Sequence, residues 1–91
     1  MSKLKTFEDI TWKKHQLGDN AIQGLLMLDN GIELSIVAGK GMYSTPREDL
    51  GSPDLYSSFE VAIFDQNGDM IDDVLGWNSK EDINTLIQIH S

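Results

Sequence analysis

The sequence predicts an α+β domain: a mainly antiparallel sheet of four to five strands, made of hairpins, with one C-terminal helix packed on one face. Three observations carry that prediction. Two Asn-Gly pairs, Asn30-Gly31 and Asn67-Gly68, each separate two apolar runs of strand length. Those runs alternate side chains with a period of two, as a strand requires. From Ser79 the period changes to that of a helix, behind a capping pattern. Asn-Gly favours tight hairpins whose two central residues take positive φ, so both pairs are expected to sit at the centre of such turns.

The elements follow in chain order. Residues 1–20 are mixed: Phe7, Ile10 and Trp12 are able to pack, while Lys13-Lys14-His15-Gln16 reads as exposed. This segment is either a short helix or a first edge strand around residues 10–14, ended by the turn signal Gly18-Asp19-Asn20. In the run 21–28, Ile22, Gly24, Leu26 and Leu28 share one face, and Gln23, Leu25 and Met27 the other. After the turn, Ile32, Leu34, Ile36 and Ala38 alternate with Glu33, Ser35 and Val37. Residues 39–54 hold three glycines and two prolines and read as a long structureless loop, the best segment of the chain for contacting something.

Residues 55–64 form the third strong strand, with Phe59, Val61 and Ile63 on one face. A turn over residues 66–69 leads to a return strand through Met70, Ile71 and Val74. Trp77-Asn78-Ser79 then introduces the helix at residues 79–90. Ser79 is its N-cap, with Asp82 three residues on, and Ile83, Leu86, Ile87 and His90 fall on one face. Trp77 reads as a plug at the strand–helix junction. The second sheet face, with Leu25, Met27, Val37 and Phe64, is apolar enough to need a cover from residues 1–18 or from a partner.

Composition bounds what the domain is able to do. Ninety-one residues at 40% hydrophobic make one domain, residues 1–91, with a thin core. There is no cysteine, which removes disulfides and thiolate metal sites and fits a reducing cytoplasm. No apolar run is long enough to cross a membrane. The net charge of -8 is uneven. Residues 1–47 sum to +1, and residues 48–91 to -9 with Lys80 as their one base. Charge of that sign opposes direct contact with nucleic-acid phosphates and suits a partner with a basic surface.

The chemical motifs are weak. Asp65-Gln66-Asn67-Gly68-Asp69 resembles the start of a calcium loop, but Met70 stands where that loop needs Gly and Gly76 where it needs Glu, so a plain hairpin turn is expected. Gly39-Lys40-Gly41 lacks the spacing and the following helix of a phosphate loop. The carboxylate pairs Glu48-Asp49 and Asp72-Asp73 read as solvated charge, because neighbours on a strand point to opposite faces. His15 lies beside two lysines and His90 ends the helix, so neither suggests a metal or a triad. Among the aromatics, Tyr43 is the best interface anchor, lying in the loop with Met42 and Arg47.

The runs 30–37 (NGIELSIV), 56–64 (YSSFEVAIF) and 72–77 (DDVLGW), the last ahead of a helix, together resemble a family of short phage-encoded proteins. The resemblance spans residues 21–91 and rests on strand and turn residues. It implies the hairpin-and-helix fold, a viral origin and a host-cell cytoplasmic location, and carries over no catalytic, cofactor or metal position. The 39–54 loop departs from the shorter, Tyr-Gly-containing loop of that family, so partner specificity held there is not carried over.

The expected function is that of a small non-catalytic protein-binding factor, phage-encoded, that inhibits or redirects a host protein. Its contact residues are expected to be Met42, Tyr43, Arg47, Glu48 and Asp49 of the loop with Asp72 and Asp73 beyond it. The alternatives are an acidic nucleic-acid mimic that blocks a host nuclease, polymerase or defence complex, and a small-ligand or calcium-binding module. No catalytic residue, cofactor or metal is expected, nor direct binding to nucleic acid or membrane. A homo-oligomer stays open, through the basic half of one copy meeting the acidic half of another.

Overall fold

A computed structural model describes residues 5–14, 21–39, 43–45, 48, 50–71 and 74–90. They form the expected α+β fold: five strands, β1 (Thr11–Lys14), β2 (Ile22–Met27), β3 (Glu33–Ala38), β4 (Phe59–Phe64) and β5 (Leu75–Asn78), then the helix α1 (Lys80–His90). The strands lie in sequence order and every neighbouring pair is antiparallel, so β1 and β5 are the two edges.

Alternation places one apolar residue in two on the inner face. Ile22 and Leu26, Leu34 and Ile36, and Phe59, Val61 and Ile63 are all buried there, with Ile83 and Ile87 of α1 completing the core. Burying each such side chain contributes about 1.5–3 kcal/mol. The helix begins as expected. Ser79 Oγ accepts the Asp82 N–H at 3.1 Å, and Asp82 Oδ2 accepts the Ser79 N–H at 3.0 Å, a reciprocal cap that satisfies two otherwise orphan donors.

The N-terminal segment is both a helical turn and a strand. Thr6 and Asp9 cap a 3-10 turn at Phe7–Asp9, and β1 follows. This segment covers the inner face, where the core already is. Phe7 stacks 5.4 Å from Phe59 and its N–H donates to Asn84 Oδ1 of α1 at 2.8 Å. The outer face is therefore not covered by residues 5–14. Its described residues include the exposed Met27, the half-buried Leu25, Ala62 and Phe64, and Val37, which is buried.

Both Asn-Gly turns differ from expectation. Gly31 and Gly68 have φ of 90° and 83°, but neither asparagine has positive φ. In the first, Gly31 N–H donates to Leu28 O and Leu28 N–H to Ile32 O; in the second, Gly68 N–H donates to Asp65 O and Asp65 N–H to Asp69 O. These are three-residue loops in which only the glycine is left-handed. The preceding acid decides the form in the second turn: Asp65 Oδ1 accepts the N–H groups of Asn67 and Asp69, holding the chain right-handed up to Gly68.

Two strand boundaries also move. The run expected at residues 55–64 becomes a strand only at Phe59, because Pro53 opens a 3-10 turn at Pro53–Leu55. The 39–54 loop is thus not structureless throughout. Thr45 bridges Ser58, and the buried Ser44 hydroxyl accepts the Gly39 N–H at 3.2 Å. The return strand touches β4 at one bridge, Phe64 to Met70, and then pairs from Leu75 to Asn78, so Trp77 and Asn78 belong to a strand and not to the helix entry. The turn signal at residues 18–20 lies outside the described residues.

Candidate protein-interaction edge

β5 is attached to β4 irregularly. Leu75 stands opposite Val61 and Asn78 opposite Phe59, so Gly76 and Trp77 together face the single residue Glu60. That is a bulge, which adds twist and re-aims a side chain. Asn78 Nδ2 closes it by donating to Leu75 O at 2.8 Å. Trp77 takes φ of 54°, the one positive value among the described non-glycine residues. A left-handed conformation costs a bulky residue about 1–2 kcal/mol.

The bulge turns Trp77 outward. Trp77 is 56% exposed, which corrects the reading of it as a junction plug. It stacks on Tyr43, itself 46% exposed, with centroids 5.0 Å apart and ring planes at 36°. The loop is tied here by two hydrogen bonds: Trp77 N–H donates to Tyr43 O at 2.9 Å, and Tyr43 N–H donates to the Glu60 side chain, Oε1, at 3.2 Å. Gly76 makes the approach feasible, since a Cβ there would lie 2.8 Å from Tyr43 Cβ. Met70, Ile71 and Val74 are also exposed, on the return segment that bridges Phe64 and leads into β5.

Of the residues that the sequence selects as contacts, Tyr43 lies at this edge. Glu48 is exposed on the later arm of the loop, where its carbonyl accepts the Tyr56 hydroxyl. Met42, Arg47, Asp49, Asp72 and Asp73 lie outside the described residues, as do His15, Lys40 and Gly41. Sequence reasoning missed Trp77, Glu60, Met70, Ile71 and Val74. The available signal was Leu75-Gly76-Trp77, where a glycine interrupts the alternation of a strand.

Other chemistry is sparse among the described residues. No three His, Cys, Asp or Glu side chains are placed to hold a metal ion. Asp65 to Asp69 form a hairpin turn, with Asp65 Oδ1 spent on backbone donors. His90 closes α1, its carbonyl accepting Asn30 Nδ2. An open hollow of about 380 Å³ lies between the two hairpin turns, against Met27, Phe64, Glu33 and Asp65. The described carboxylates are spread over the first turn of α1, the hairpin ends and the outer face, not gathered in one row. No helix among the described residues is long and apolar enough to cross a membrane. No known protein family, curated protein or solved structure matches this chain.

Proposed function

We propose that this chain is a small non-catalytic protein-binding factor that docks on another protein through its β5 edge. The observation that carries this reading is the exposed Tyr43–Trp77 pair, held out by a strained bulge, with Met70, Ile71 and Val74 also exposed on the segment that leads into β5. Aromatic side chains presented in this way are the common anchors of protein interfaces. The acidic second half of the chain favours a partner with a basic surface around the anchor. The resemblance to short phage-encoded proteins supports a viral origin, a host protein as partner, and action in the host cytoplasm by inhibiting or redirecting it. The spread of the described carboxylates gives no support to nucleic-acid mimicry.

Tagged protein is the test, incubated with lysates of candidate hosts. One partner should be recovered in stoichiometric amount, and Trp77→Ala and Tyr43→Ala should lose it while keeping the native circular dichroism spectrum. Recovery that is unchanged in both variants removes the β5 edge from the reading.

A further inference from the structure

We infer that Asn67, and not Asn30, is a site of spontaneous covalent modification, in which water converts the asparagine through a cyclic imide to aspartate and isoaspartate. Both Asn-Gly pairs carry the chemistry, because a following glycine has no side chain to shield its amide nitrogen. That nitrogen gives up its proton to solvent and attacks the asparagine Cγ. The N–Cγ bond forms, the Cγ–Nδ2 bond breaks, and the side-chain amide leaves as ammonia, taking a proton from water. A second water then opens the imide at either carbonyl. One opening restores the backbone as aspartate, and the other routes it through the side chain as isoaspartate. Composition, exposure and turn form do not separate the two positions: both asparagines are exposed, and Gly31 N–H and Gly68 N–H each donate within the turn at 3.0 Å.

The side chains do separate them. Asn30 is held at both ends: its Oδ1 accepts the Ile32 N–H at 3.1 Å, and its Nδ2 donates to His90 O at 2.6 Å. To bring Cγ over the glycine nitrogen, Asn30 must break both bonds. Gln66 closes the same turn from the side, donating to Asn30 O and lying so near that a Cβ on Gly31 would meet its Cγ at 2.7 Å. Asn67 has none of this. Its backbone N–H is held by Asp65 Oδ1, but its side chain makes no hydrogen bond among the described residues, and nothing lies within 4 Å of a Cβ placed on Gly68. Its amide is free to turn, and the approach to the glycine nitrogen is open. The product places a carboxylate between Asp65 and Asp69, and isoaspartate lengthens the backbone of the turn that joins β4 to the segment leading into β5.

The test incubates the full chain, folded, in mildly alkaline buffer, and in parallel in enough urea to unfold it. Samples taken over time are digested in mild acid, and the gain in mass from amide to acid is assigned to its residue by fragmentation. In the folded chain Asn67 should react at least about tenfold faster than Asn30, the factor set by the two side-chain bonds that only Asn30 must break. In urea the two rates should converge, because the bonds to His90 O and the Ile32 N–H are gone. Isoaspartate should appear beside aspartate at residue 67, since the imide opens both ways. Equal rates in the folded chain overturn the inference, as does a faster Asn30. A difference that survives unfolding also overturns it, because neighbouring residues and not the fold would then set the rates. Aspartate alone at residue 67 means direct hydrolysis without the imide, and overturns the mechanism.

Discussion

The two edge strands each carry a tryptophan beside a glycine-made gap, and they use the pair in opposite ways. On β1, Trp12 stands across from Gly24, and its ring lies inward, tilted 5.7 Å from both Phe7 and Phe59. A Cβ on Gly24 would lie 2.9 Å from that ring, so the missing side chain lets the tryptophan lie over the strand. On β5, Gly76 admits Tyr43 instead, and Trp77 is turned out at a positive φ. The register explains the difference. β1 pairs with β2 at four consecutive positions without interruption, so alternation keeps Trp12 on the core face. β5 carries one residue more than the stretch of β4 it pairs, so alternation fails there and the side chain leaves the core. Regular pairing makes β1 part of the foundation, and irregular pairing leaves β5 with something to offer a partner.

The largest expected effect breaks that contrast at its structural end. Trp12→Ala should cost about 3 kcal/mol of folding stability, since it opens a void between Phe7 and Phe59. Trp77→Ala should cost about 1 kcal/mol or less, since it loses one exposed aromatic contact. Urea midpoints of the two variants decide between them, and similar losses would dissolve the division of labour. Filling the gap should act next in size. Gly24→Val should destabilise by about 2 kcal/mol through crowding of Ile10 and Trp12, read in the same denaturation series.

The same contrast explains what was legible in the sequence. β2, β3 and β4 could be read directly, because their inner residues repeat every second position, and only at the end of β3 does a residue of the other face, Val37, become buried as well. The helix could be read from Ser79, Asp82 and the Ile83/Ile87 spacing, all local signals. The hairpins were placed correctly but their turn form was not. Asn-Gly alone favours two left-handed residues, and the Asp65 carboxylate, which tips the balance toward a three-residue loop, acts on backbone groups two and four residues away. The site was half legible. Tyr43 stood out as a loop aromatic, but its partner was hidden, because a tryptophan between two apolar elements reads as core until the bulge is known. A one-residue mismatch between strands is a property of their pairing and leaves little trace in either strand alone. Glu60 was hidden for a related reason: on β4 it is simply the polar half of an alternation, and only the folded loop brings the Tyr43 N–H to it.

A finer comparison at the bulge separates strain from contact. Trp77→Gly and Trp77→Ala both remove the ring, but only glycine accepts a φ of 54° without penalty. The glycine variant should therefore be more stable than the alanine variant by about 1 kcal/mol, against the usual order in a strand. Both should lose partner capture equally. A glycine variant less stable than the alanine one would mean that the backbone at residue 77 carries no left-handed strain.

The smallest effect on stability concerns how each edge is guarded. β1 contains Lys13, exposed, and Lys14, and a lysine on an edge strand deters pairing with another sheet because its charge would have to be desolvated. β5 contains no charged residue, and its protection is the bulge, which bends the strand away from a regular ladder. Lys13→Val should leave folding stability within about 0.5 kcal/mol, as expected for an exposed site. It should nevertheless increase self-association with concentration, read by light scattering, because β1 is otherwise regular enough to pair. A lysine placed on the other margin, Val74→Lys, should leave self-association where it is and weaken partner capture, since the bulge already prevents strand addition there while the exposed apolar side chains of this margin belong to the surface proposed for the partner. If the two substitutions behave alike, charge guards both edges and the bulge has no protective part. If only Lys13→Val associates, the molecule closes one edge with charge and reshapes the other with geometry, and the reshaped edge is then the one left available for side-chain recognition.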